Sequence, residues 1–222
     1  ILIKKGEIVG FSGNTGSSTA PHLHFEIRET KTQKALNPML FNLPILDRTF
    51  PIIKSILIYY KNGEKEKIHA TKINNKKYQL DKNPIFNEAF NIGVNTYDLL
   101  DAAPNKNGVY SIELYINDSL FFENKMSEFS FNETKYINSH IDYEYYKNNG
   151  EKFQKCFLEP NNKLSTNKKH TKYLIGENLP NGTHTIQLKI KDSYHNNSNL
   201  EFKFKLQKKA SNYIENNNLR II

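Results

Sequence analysis

The stretch NGVYSIELYINDS at residues 107–119 returns at residues 181–193 as NGTHTIQLKIKDS, and no other feature restricts the fold as tightly. The copies agree at Asn, Gly, Ile, Leu, Ile, Asp and Ser, with an offset of 74 residues. Each reads as an Asn-Gly turn, an alternating strand and a polar turn. Side chains two apart on a strand share a face, so Ile112, Leu114 and Ile116 point one way. Ile186, Leu188 and Ile190 do the same in the second copy. Ile52–Tyr60 is a further strand-sized apolar run, closed by Asn62-Gly63. An internal repeat of this length implies two related β units.

The fold expected from this pattern is all-β. Short strands separated by Asn, Gly and Asp turns resemble immunoglobulin-like β-sandwich units, one or two of them. The chain has one Cys and no Trp, which removes an antibody-type core but not the general architecture. Leu43-Pro44 and Asp47–Phe50 place a linker at 42–50. The β units then span 51–126 and 127–207, as two sandwiches or one composite sandwich, with a loose tail over 208–222.

Composition narrows the function classes. The formal net charge is +8 over 222 residues, with both signs interspersed. Such a surface suits anionic envelope polymers. No helix-turn-helix, zinc-finger or RNA-binding signature is present, so a nucleic-acid partner is not expected. No apolar run approaches the ~18–20 residues of a membrane span. A single cysteine, Cys156, excludes an intrachain disulfide, and Phe153, Phe157 and Leu158 around it mark a buried structural thiol.

The chemistry-bearing candidates lie near the start. His22 and His24 fall in a run where Leu23, Phe25 and Ile27 alternate with His22, His24, Glu26 and Arg28. That is the period of a half-buried strand, with the apolar trio toward a core. Two histidines at i and i+2 project from one face with rings roughly 6–7 Å apart, from the ~3.3 Å rise per strand residue. Taken alone, His-x-His is most simply a pair of solvated strand histidines.

The flanking sequence argues for more. KKGEIVGFSGNTG, with Gly13 and Gly16 opening a hydroxyl-rich loop, leads to STAPHLHFEIR and then ALNPMLF. Together these segments resemble the C-terminal end of the lysostaphin/LytM-type zinc metalloendopeptidases, over about residues 1–41. The resemblance implies that His24 is a zinc ligand and that His22 is the catalytic residue beside the metal-bound water. A catalytic zinc keeps three protein ligands and one open position. The resemblance places the other two ligands, a His and an Asp four residues later, upstream of this strand, and the twenty-one residues before His22 contain neither. Residues 1–41 are therefore expected to be the truncated C-terminal part of the peptidase domain, holding one Zn2+ ligand and inactive as a fragment. The parent is expected to cleave peptide cross-bridges of bacterial peptidoglycan in the cell envelope, periplasmic or secreted, with an envelope protein as a further partner. The alternative is a non-catalytic LytM-like regulator of another wall hydrolase.

Other candidates read as structural. In KYINSHIDYEYYK, His140 and Asp142 sit among tyrosines and are expected to pack. His184 and His195 are expected at a surface or strand edge, and Asp118 and Asp192 as turn caps. The sequons at Asn132, Asn181 and Asn197 carry no weight without a eukaryotic secretory context.

Overall fold

Alternating apolar side chains need a core on one side and water on the other, and this chain satisfies both by running most strands antiparallel to a neighbour. The structure is a computed structural model describing residues 2–14 and 19–209. The expected loop residues Ser17-Ser18 and most of the 208–222 tail lie outside the described residues. In chain order the elements are β1 (Ile27–Arg28), β2 (Ala35–Leu36), β3 (Ile52–Tyr60), β4 (Lys65–Lys72), β5 (Lys77–Leu80), β6 (Ile85–Phe86) and β7 (Phe90–Tyr97). There follow β8 (Ser111–Ile116), β9 (Ser119–Lys125), β10 (Glu128–Phe129), α1 (Ile137–His140), α2 (Tyr143–Asn149), β11 (Gln154–Lys155), β12 (Asn167–Lys169), β13 (Gly182–Lys191) and β14 (Asn197–Leu206). The fold is all-β.

One hydrogen-bonded path runs β11-β7-β3-β4-β5-β14-β13-β8-β9-β12, with β6 also on β14. Its parallel joints are β14 with β5 and β14 with β6. The repeated motifs occupy β8 and β13, which lie side by side and antiparallel. Ile186 faces Ile116, Leu188 faces Leu114 and Ile190 faces Ile112 across that pair. The echo in sequence is thus a pair of neighbouring strands, each opening a hairpin, β8–β9 and β13–β14.

A single hydrophobic cluster joins the two halves of this path. It takes Ile56, Ile58, Ile92 and Val94 from one and Ile112, Leu114, Ile186, Leu188, Leu200 and Phe204 from the other. Phe86, Phe90 and Phe204 meet at its end, with ring centroids 3.9–5.7 Å apart. Such aromatic pairs add about 0.5–1.5 kcal/mol beyond area burial. On β14 every second residue from Ser198 to Leu206 is buried, the alternation its sequence dictates.

Turn chemistry fixes the registers. The β8–β9 hairpin closes on Asn117 and Asp118, with φ of 46° and 65°. Paired positive φ values belong to the two-residue turn whose twist matches its strands, and Asn and Asp tolerate them best. Gly63, with φ 88°, closes β3–β4 in the same left-handed region. Gly93 is required for a different reason. A Cβ there would stand 3.0 Å from Tyr59 Oη and 3.3 Å from the Gln154 carbonyl, so β11 closes on β7 only over a bare backbone.

Residues 142–157 reach β3 and β4, through Lys65 to Asp142 and Glu144, Lys67 to Glu151, and the Tyr59 and Phe157 rings 5.2 Å apart. Asp142 caps α2 by accepting from Tyr145 N at 3.0 Å, and it pairs with Lys65 at 2.9 Å. Burial raises the Asp142 carboxyl, but the Tyr145 amide and the Lys65 ammonium outweigh it and hold the group below the usual range. His140 and Cys156 are buried, and burial pushes the thiol well above its ordinary value. His195 is exposed, as expected, but His184 is not at a surface. It is 7% exposed, takes a hydrogen bond from Asn117 Nδ2 at 2.9 Å and donates through Nε2 to the Pro180 carbonyl at 2.8 Å. The Asn117 side chain, inserted from the neighbouring hairpin, supplies the partner that lets an imidazole sit inside.

Candidate functional site

The amino-terminal segment joins the β unit through a second, small sheet of order β1-β2-β10. β2 pairs on one side with β1 and on the other with β10, a strand lying after β9 in the chain. Asn37 reinforces the joint, its amide donating to the Ser127 carbonyl at 2.9 Å and its side chain to the Met126 carbonyl at 3.1 Å. Lys34 and Glu128 pair at 2.8 Å, and their hydrogen bond holds the ammonium above and the carboxylate below their usual ranges. The Arg28 guanidinium lies 4.7 Å from the Phe131 ring centroid.

The candidate histidines sit just before this anchored part. Gly13 and His22 form an isolated antiparallel bridge. His22 Nδ1 lies 3.2 Å from the Ala20 carbonyl. Both His22 and His24 are exposed. Glu26 pairs with Arg28 two residues on, across the end of the run.

The expected burial of the apolar trio fails for two of its three members. Leu23 is 86% and Phe25 59% exposed, and only Ile27 is half-buried, inside β1. The assigned strand is correspondingly short. β1 has a neighbour only through Ile27 and Arg28, opposite Leu36 and Ala35. Ile8, Val9 and Phe11 are also exposed, so the amino-terminal segment leaves several large apolar side chains uncovered. Alternation is a local property of the sequence, whereas burial needs a facing layer, and the described residues provide none here.

The donor set does not amount to a catalytic zinc site by itself. Such a site takes three protein ligands. Among the described residues, the one group of three or more His, Cys, Asp or Glu side chains close enough to share an ion is Asp47, Asp98 and Asp192, far along the chain from His22 and His24. The sequence reading missed that cluster, taking Asp192 as a turn cap alone. It is a cap, accepting from Tyr194 N and Asn196 N at 2.8 Å each, but the two partner aspartates come from segments that no spacing rule connects.

Known proteins give the histidine segment its setting. Residues 2–38 match the model of peptidase family M23. An uncharacterized metalloprotease of Haemophilus influenzae is 50% identical over 42 residues, 19% of this chain and 8% of that protein. The lysostaphins of Staphylococcus staphylolyticus and Staphylococcus simulans are each 49% identical over 41 residues, 18% of this chain and 8% of theirs. The chain therefore spans only a small part of the relatives it matches. Residues 2–38, which contain His22 and His24, are thus similar to the metallopeptidases of family M23.

Proposed function

We propose that the chain is part of a zinc metalloendopeptidase that hydrolyses peptide cross-bridges of bacterial peptidoglycan in the cell envelope, periplasmic or secreted. The observation that carries this reading is the family M23 match, which contains both histidines and extends to about half identity with lysostaphin. His24 is then the zinc ligand that residues 2–38 contribute, and His22 the neutral imidazole that exchanges a proton beside it. The remaining ligands come from peptidase sequence outside these residues, and the chain alone neither holds zinc tightly nor cleaves a substrate. The exposed apolar side chains of Ile8, Val9, Phe11, Leu23 and Phe25 support the same reading, since further peptidase sequence would cover side chains that are otherwise left in water.

Residues 51–207 make one composite β-sandwich unit in this reading, joined by the 42–50 linker to the peptidase part at 1–41. Its task is to place the peptidase on its polymeric substrate. Among the described residues no helix is long and apolar enough to cross a membrane.

The test uses this chain joined to peptidase sequence that carries a His-x-x-x-Asp ligand pair. His24→Ala should lose zinc, measured by metal analysis of the purified protein. His22→Ala should keep zinc and lose activity on purified peptidoglycan by about 10²–10⁴-fold, the usual range for a proton-transfer residue. Stoichiometric zinc in the first variant, or full activity in the second, overturns the assignment. A parent that binds no metal yet stimulates a second wall hydrolase would instead be the regulator.

A further inference from the structure

Asp47 lies in the connector before β3, Asp98 immediately follows β7 and Asp192 immediately follows β13. The fold gathers these three loops so that one carboxylate oxygen from each lies within 4.8 Å of the others. The residues are 9%, 4% and 2% exposed. Their surroundings supply donors to some oxygens and leave others bare. Asp192 is served by Tyr194 N, Asn196 N and Asn196 Nδ2 at 2.6–2.8 Å. One oxygen of Asp47 accepts from Thr49 N and Oγ1 at 3.0 and 2.6 Å. Asp47 Oδ2 and Asp98 Oδ1 are buried with no hydrogen-bond partner.

Nor does a basic side chain offset the charge. Arg48, next to Asp47, turns to Asp101 at 2.8 Å, and Lys191, next to Asp192, turns to Glu113. Among the described residues no ion pair reaches Asp47, Asp98 or Asp192. A buried carboxylate oxygen left without a donor is costly and persists where something compensates it. The group is therefore under strong demand for a positive charge, and a bound ion satisfies all three carboxylates at once where a single proton serves one or two.

We propose that Asp47, Asp98 and Asp192 hold a Ca2+ ion at the junction between the peptidase-like segment and the β unit. Two oxygens on one Ca2+ at ~2.4 Å lie no further than ~4.8 Å apart, and the three carboxylate oxygens fall within that limit. The donors are all oxygens, which selects a hard cation over zinc. They arrive from three irregular loops, which suits the flexible geometry of Ca2+ better than the strict octahedron of Mg2+. The position gives the ion work. The loop after Asp192 grips the peptidase-like segment: Asn37 Nδ2 donates to Ser193 Oγ at 3.0 Å, and Tyr194 Oη donates to Met39 Sδ at 3.5 Å. Asn196 Nδ2 also reaches the Asp47 carbonyl at 3.2 Å. An ion binding all three carboxylates fixes the connector against the end of the sheet and so orients the segment that bears His22 and His24.

The experiment uses the full 222-residue chain. Tb3+ replaces Ca2+ at oxygen sites and luminesces when excited through a nearby tyrosine; the chain has no Trp, and Tyr194 is two residues from Asp192. The expected result is saturable Tb3+ luminescence that Ca2+ displaces. Ca2+ at roughly 100 times its dissociation constant should also raise the melting temperature by about 5–10 °C relative to chelator-treated protein. Both effects should vanish in Asp98→Asn and, as a second variant at a milder position, in Asp47→Asn. A melting temperature indifferent to Ca2+ overturns the site. So does a Ca2+ shift that survives both substitutions, and a rise with Mg2+ equal to that with Ca2+ overturns the choice of ion.

Discussion

Burial lowers the His140 imidazole from an ordinary 6.5 to about 4, with Gln154 opposing and Lys155 adding to the effect. The imidazole is thus neutral in the fold at pH values where the unfolded chain already takes up a proton. Its stabilising contribution is complete above pH 6.5 and is lost as the pH falls toward 4, because protons then favour the unfolded state. A shift of this size corresponds to about 3 kcal/mol. Denaturant unfolding of wild type and His140→Gln at a series of pH values should show curves that converge by about that amount between pH 6.5 and 4. Parallel curves would mean that His140 is protonated inside the fold. The same scale explains why His184 was misplaced by inspection of its sequence. A histidine at an alternating position is buried or exposed according to whether a partner reaches it, and Asn117 lies 67 residues away.

At the level of elements, Asn117 joins two hairpins. Its backbone adopts the positive φ that the β8–β9 turn needs, its Oδ1 accepts from Thr185 N at 2.9 Å, and its Nδ2 donates to His184. Asn117→Ala should destabilise by about 2–4 kcal/mol, from turn strain and the stranded imidazole, while Asn117→Gly recovers the turn but not the bonds. Chemical denaturation of the three proteins orders them; equal stability of the Ala and Gly variants would remove the turn contribution. The strands themselves were readable because their signals are local. The inward faces of β8 and β13 follow from alternation, and the turns at Gly63 and Asn117 from residue type. Their order in the sheet was not readable. The repeat implies two related units, as two sandwiches or one, but no local rule says that its copies pair directly or places β5 parallel to β14. The aspartate cluster failed for the same reason, its members being drawn from three distant loops. At the histidine site the residues were legible and their burial was not, since Leu23 and Phe25 lack a facing layer among the described residues.

For the molecule as a whole, the main cluster lies entirely between Ile53 and Leu206. A chain of residues 51–207 should therefore give a β-rich circular dichroism spectrum and a cooperative thermal transition; a disordered spectrum would show that the amino-terminal segment completes the core. The charge of the whole chain, +8, leads to a further expectation. Attraction to anionic wall polymer should be measurable by co-sedimentation with purified sacculi at low salt and should fade at high salt, as screening over ~8–10 Å takes hold. Failure to sediment at low salt would remove a wall-anchoring role for the β unit.

The β2–β10 pairing bears on how such a protein can be rearranged in evolution. The proline-punctuated connector looks like a seam at which one catalytic part could be exchanged for another. Recombination there would not yield interchangeable parts, because β10 belongs to the downstream region and completes a sheet whose other strands lie upstream. A replacement would have to bring its own edge compatible with Ala35 and Leu36, or leave the backbone of Glu128 and Phe129 unpaired. The pairing therefore couples the two regions, since a change at the edge of either strand is felt by its partner across the seam.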